Sequence, residues 1–201
     1  MPLLDLNRNA DGGSRRAGVR WLRGRGAGAR DRPRSLLGCA SGARIVADEH
    51  GDGARAGERG TVWIELGDDG SRALCVAGEA PHVGRRLRDY LKREAKRELE
   101  AASRRAADAL GVKIKRVSIR DQSSRWGSCS TTGVLSYSWR LILTPPFVLD
   151  YLAAHEVAHL VEMNHSRAFW RVVGRIYPNM ARAKTWLDVH GADLHRYGVG
   201  A

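Results

Sequence analysis

Apolar and polar residues first fall into a regular pattern near Thr61. In TVWIEL, Val62, Ile64 and Leu66 occupy alternate positions, the period of a strand with one buried face. GDDGS then supplies turn residues and RALCVAG has the composition of a returning strand, so this stretch predicts a hairpin. Beyond it the period lengthens. Leu87, Leu91, Ala95, Leu99, Ala102, Ala106 and Leu110 form one stripe at helical spacing, ended by Gly111. The opposite face is rich in Lys and Arg with interspersed Glu, which fits a solvated surface laced by i,i+4 pairs.

VKIKRVSIRD predicts a strand whose alternation slips one place between Ile114 and Val117, as a bulge would allow. VLSYSWRLIL predicts another, with Leu135, Tyr137, Trp139, Leu141 and Leu143 sharing a face. The polar, glycine-containing QSSRWGSCSTTG connects the two. Pro145 and Pro146 open a helix, since proline is tolerated in the first turn. SRAFWRVVGRIY predicts a further helix with Ser166 as its N-cap, and MARAKTWLDVHG a last one. The expected class is α+β, a small and mostly antiparallel sheet packed on helices. No internal repeat is visible.

The segment from residue 8 to about residue 60 lacks either period and has few large apolar residues, as in RWLRGRGAGARDRPRSLLG. Such a stretch buries too little surface to offset the entropy of ordering, so loop or disorder is expected. A basic arm for nucleic acid is the functional alternative. The division expected is therefore an atypical, Arg/Gly-rich segment at 1–60 and a folded domain at 61–201. The formal net charge of +12 steers acidic partners but serves solubility equally well. No apolar run is long enough to span a bilayer and the first residues lack a secretory pattern, so no membrane association is expected. Cys39, Cys75 and Cys129 are odd in number and irregularly spaced, which argues for a reducing, cytoplasmic setting. Nothing in the pattern indicates an oligomeric state.

The chemistry concentrates in AAHEVAHLVEMNHSRAFW. His155, Glu156 and His159 match the H-E-x-x-H pattern. On a helix, residues four apart differ by roughly 40° in rotation and about 6 Å along the axis, so both imidazoles can converge on one metal ion. Glu156 is turned roughly 100° from His155, where it flanks the metal and suits a base acting on water. The alternative for such histidines is a satisfied place in an amphipathic core. A catalytic site needs a third ligand. His165 lies six residues beyond His159, but a continued helix would turn it away, so the helix is expected to stop, with Asn164 as the terminating residue. Glu162, three residues after His159, is the competing ligand. One Zn2+ per chain is the expected cofactor, and peptide hydrolysis the expected chemistry. Glu156 would take a proton from the activated water and pass it to the leaving amine. An oxyanion donor is not singled out among Tyr177, His190, His195, Tyr197 and Arg125. A thiol nucleophile at Cys129 has no paired histidine nearby in sequence.

With DQSSRWGSCS, LSYSWRLILTPP, HEVAHLVEMNHSRAFW and WLDVHGADLHRYG in this order, the chain resembles the YgjP-like metallopeptidases over roughly residues 61–201. These are small zincins related in pattern to the SprT and Wss1 groups. The resemblance implies a zincin-like fold, zinc held by His155, His159 and His165, catalytic Glu156, and a protein or peptide substrate. It further implies that Arg125, Trp126, Gly127 and Ser128 border the cleft, where an extended substrate can pair with a strand edge. It also implies a β-rich opening, and residues 8–60 do not read as one. A frame-shifted translation of GC-rich codons would produce such a segment, and translating the other frames would test that. The reading from another class is a basic nucleic-acid-associated protein with a structural or vestigial zinc site, the helix from Arg85 to Arg105 being its surface.

Overall fold

The computed structural model describes residues 44–48, 62–66, 72–77, 80–122, 124–195 and 197. The architecture is α+β and divides into two compact units, the second running from Arg88. In the first, β1 (Arg44–Asp48), β2 (Val62–Leu66) and β3 (Arg72–Ala77) form a sheet in the order β1-β3-β2. The expected hairpin is present: β2 pairs antiparallel with β3, Val62 opposite Val76 and Leu66 opposite Arg72. Strand β1 adds to the other side of β3 in parallel. It lies inside the stretch expected to be loop or disorder. Only five residues long, it shows no period of its own, and its partner strand supplies the hydrogen bonds that local sequence does not. The rest of residues 8–60 lies outside the described residues. The α1 helix (Ala80–Leu110) begins in this unit, where Arg86 donates a hydrogen bond to the Ala77 carbonyl.

In the second unit, α1 buries Leu91, Ala95, Leu99, Ala102 and Ala106, the stripe expected from the sequence. Ser103 and Ala107 are buried with them. Its solvated side carries Lys96–Glu100 and Arg97–Glu94 pairs at helical spacing. Gly111 ends it with φ of 68°, a conformation open to glycine. The second sheet contains β4 (Arg116–Arg120), β5 (Gly127–Cys129) and β6 (Val134–Ser138), in the order β4-β6-β5. β6 is antiparallel to β5 but parallel to β4. Each sheet is thus mixed, with one parallel and one antiparallel pair, where mostly antiparallel pairing was expected. The reason is that β6 returns between β4 and β5, and the long connection containing β5 permits the parallel match.

Two strand expectations change. β4 starts at Arg116, so residues 112–115 lie outside the strand and no bulge is needed. β6 stops at Ser138, and Trp139–Leu143 forms a 3-10 helix. A strand would have sent Arg140 and Ile142 to the face opposite Trp139 and Leu141, yet all four are buried. The tight helix turns successive side chains to all sides, which a fully enclosed segment requires. The guanidinium of Arg140 is satisfied by Asp121 and by the Tyr197 carbonyl at 3.0 Å. Burial would raise the Asp121 carboxyl, but hydrogen bonds from Arg140 and Trp139 outweigh that and hold it below its ordinary range.

Three helices follow: α2 (Pro146–Ala158), α3 (Arg167–Ile176) and α4 (Met180–Leu194). α2 starts behind two prolines as expected, and Ser166 caps α3 by accepting the Phe169 N–H at 3.3 Å. α2 packs against α3, α4, β5 and the 3-10 helix. Val148, Leu149, Tyr151, Leu152, Ala153, Ala154, Val157 and Ala158 are all buried, so it is a core helix rather than an amphipathic one. Ser103 Oγ and Tyr137 Oη, both fully buried, share a hydrogen bond of 3.0 Å that ties α1 to β6. Ser103→Ala leaves the phenol without its partner, and a loss of about 1–3 kcal/mol is expected in urea unfolding. No helix among the described residues is long and apolar enough to cross a membrane.

Candidate metal centre

The second half of α2 supplies His155 and Glu156, and His159 caps the helix. The α-helix ends at Ala158, well before the stop expected at Asn164. Among the described residues no non-glycine adopts positive φ, so Asn164 does not terminate the helix in a left-handed conformation. Instead the N–H groups of Leu160, Val161 and Glu162 bond at 3.0 Å to the carbonyls of Val157 and Ala158, closing the end in tight turns. The chain then reverses, and Ser166 starts α3 directly after His165.

This reversal brings His165 back to the first two histidines. One ring nitrogen from each of His155, His159 and His165 lies within 4.8 Å of the others. His155 Nε2 and His165 Nε2 are 3.0 Å apart. His159 Nδ1 lies 3.2 Å from the Glu162 carbonyl and donates to it, which leaves its Nε2 as the free donor atom. Glu162, the competing ligand, therefore acts through its backbone, and its carboxylate is not in the cluster. Burial, then the neighbouring His159, His165 and Lys184, push His155 down to about 3. Burial likewise lowers His159, against the pull of the Glu162 carbonyl. Ligand imidazoles must be neutral, so burial prepares both rings for a cation. The donor set fits a divalent transition metal.

Aromatic residues that sequence reading passed over hold these rings. Phe169, fully buried, lies 4.9, 4.5 and 4.7 Å from the centroids of His155, His159 and His165. Trp170 is 5.8 Å from His155 and His165, with Lys184 Nζ 3.4 Å from its centroid. The signal was present: both aromatics lie one turn beyond His165, behind an N-cap. Their orientation depended on a reversal that the local pattern does not reveal.

Glu156 is buried because α2 is enclosed on nearly all sides. Burial raises its carboxyl to about 7, against the opposing charge of Arg125. The carboxylate rests on β5. A Cβ placed on Gly127 would lie 2.5 Å from Glu156 Oε1 and 2.8 Å from its Cδ and Cγ. Of the other residues expected near the cleft, Arg125 is exposed and acts on Glu156 through its charge. Trp126 is committed to packing: its ring stacks 4.5 Å from His195 and covers Gly191. Ser128 pairs with Ser136 in the sheet. The Cys129 thiol is pushed up to about 11 by burial and by Glu156, which removes it as a thiolate nucleophile. Among the oxyanion candidates, the Tyr177 hydroxyl donates to the Phe147 carbonyl at 2.7 Å, and His190 lies 4.8 Å from Trp186.

Residues 48–190 match the family described as "YgjP-like, metallopeptidase domain". Among solved structures, the chain is similar to the metallopeptidase zymogen of Pyrococcus abyssi abylysin, with 28% identity and a TM-score of 0.42. That match covers 48% of this chain and 94% of the other. None of the curated proteins compared matches.

Proposed function

The chain belongs to the YgjP-like metallopeptidase family, and from that premise we propose that it hydrolyses peptide bonds with one zinc ion held by His155, His159 and His165, and with Glu156 as general base. The observation that carries this reading is the convergence of three imidazole nitrogens within 4.8 Å, with His155 on the helix that carries Glu156 and His159 at its C-cap. Three imidazoles suit zinc and leave a coordination position open. When bound there, zinc supplies Lewis-acid polarisation of a water and of the scissile carbonyl.

The remaining work falls to the protein. Glu156, ionised, accepts a proton from the attacking water and delivers it to the departing amine. Its carboxyl lies near 7 before metal binding, close to the value at which accepting and releasing a proton cost equally little at neutral pH. Phe169 and Trp170 pack against the imidazoles and restrict their orientations. β5 is an edge strand, and an extended substrate pairs with it by main-chain hydrogen bonds beside Gly127 and Ser128. Arg125, exposed next to that edge, balances part of the charge on Glu156 and meets the substrate backbone.

The test joins metal content to activity. Elemental analysis of the purified chain is expected to give one zinc per chain. Hydrolysis of an unstructured protein should cease on chelation and return when zinc is restored. Protein lacking metal after zinc-replete purification would refute the site. Bound zinc with no hydrolysis of any peptide would instead assign the ion a structural role.

A further inference from the structure

Away from the metal centre, one run of cations stands out on the described surface. Lys113, Lys115, Arg116 and Arg120 are all exposed. No acidic residue occurs from Gly111 to Arg120. On α1, by contrast, Lys96, Arg97 and Arg105 are answered by Glu100, Glu94 and Asp150. None of the four cations joins an ion pair among the described residues. Asp121, the next acid along the chain, is already held by Arg140 and Trp139. The charge of this run is therefore unspent.

The run occupies and leads into an edge strand. β4 pairs with β6 on one side, and no strand among the described residues pairs with its other side. Arg116, Ser118 and Arg120 share one face of β4, about 6.6 Å apart, while Val117 is buried on the other. An extended peptide laid along this edge repeats its own side chains at the same interval. Acidic residues at alternate positions would then stand opposite Arg116 and Arg120 while its backbone fills the open hydrogen-bonding positions. The same cations disfavour a second copy of β4, which would set like charges face to face. The edge is thus closed to itself and open to a strand of opposite sign.

We propose that the outer edge of β4 is a docking site for an extended acidic segment of a partner protein. It lies across β6 from β5, the strand that abuts Glu156, and it does not depend on the reading of the metal centre. Single-stranded nucleic acid fits less well, because residues 111–122 contain no aromatic side chain on which a base could stack.

Fluorescence anisotropy on the full chain tests this with a labelled eight-residue peptide of alternating Glu and Thr, its integrity checked by mass spectrometry. Binding is expected to weaken at least about tenfold in the Arg116→Glu/Arg120→Glu variant, whose fold is checked by circular dichroism. A similar loss is expected when prolines replace the threonines, which removes N–H donors without changing charge. If the double variant does not fold, Arg120→Glu alone, at the exposed end of the strand, is expected to weaken binding measurably. Binding indifferent to proline, or a short DNA duplex competing better than the acidic peptide, would overturn the proposal in favour of a phosphate surface. No binding, or binding unmoved by charge reversal, would leave the cations as guards of the strand edge and overturn it equally.

Discussion

Glu156→Gln is expected to lower kcat/KM on any peptide substrate by about 10²–10⁴-fold while metal content stays at the wild-type level. The amide keeps the shape of the carboxylate but accepts no proton, so the variant removes the proposed base and spares the three imidazoles. A second effect, in metal-free protein, has the opposite sign. The Glu156 carboxyl has an ordinary value of 4.5 and is raised to about 7 by burial. Between those values the folded chain holds a proton that the unfolded chain has released. Raising the pH through that window therefore withdraws stability, and the full penalty is present above about pH 7. Gln does not ionise and escapes the penalty. Metal-free Glu156→Gln should be more stable than wild type at pH 8 by up to about 3 kcal/mol, and equal to it near pH 4. Urea titrations at the two pH values check this. Equal stability at both would mean that the carboxylate is solvated.

The second large effect is expected at a residue with no reactive group. Gly127→Ala places a methyl 2.5 Å from Glu156 Oε1, and the side chain it meets is enclosed by α2 and β5. Either the carboxylate rotates away or β5 shifts. Displacing a base by about 1 Å costs roughly 10²-fold in rate, and overpacking an enclosed site costs about 1–3 kcal/mol of stability. Metal content should be unchanged, because the atoms nearest the new methyl belong to Glu156 and not to a histidine. The shorter Glu156→Asp side chain relieves the clash, so the double variant should be less impaired than the product of the two single effects. Wild-type activity in Gly127→Ala would show that the carboxylate does not depend on the Gly127 contact.

Much of the frame was legible in the chain because it depends on local patterns. The α1 stripe, the β2–β3 hairpin, the prolines before α2 and the Ser166 cap all follow from spacing and turn chemistry over a few residues. What failed to read correctly depends on distant neighbours. Trp139–Leu143 looks like a strand by alternation, and only enclosure on every side makes a 3-10 helix the better answer. β1 exists through β3, which lies more than twenty residues further along the chain.

The site divides the same way. His155 and His159 stand at a spacing that a helix converts into shared direction, with Glu156 turned to their flank, and that conversion is local geometry. The amino-acid order alone therefore singled out the side chains to which the chemistry is assigned here and the kind of ion that imidazoles at that spacing suit. The tertiary structure decided the rest. It returned His165 to the other two rings by ending α2 at Ala158, and set Phe169 against all three. It also buried Glu156 against a glycine from β5. Those steps turn on which surfaces exclude water together, and burial is a property of the packed molecule that no single stretch of the chain contains.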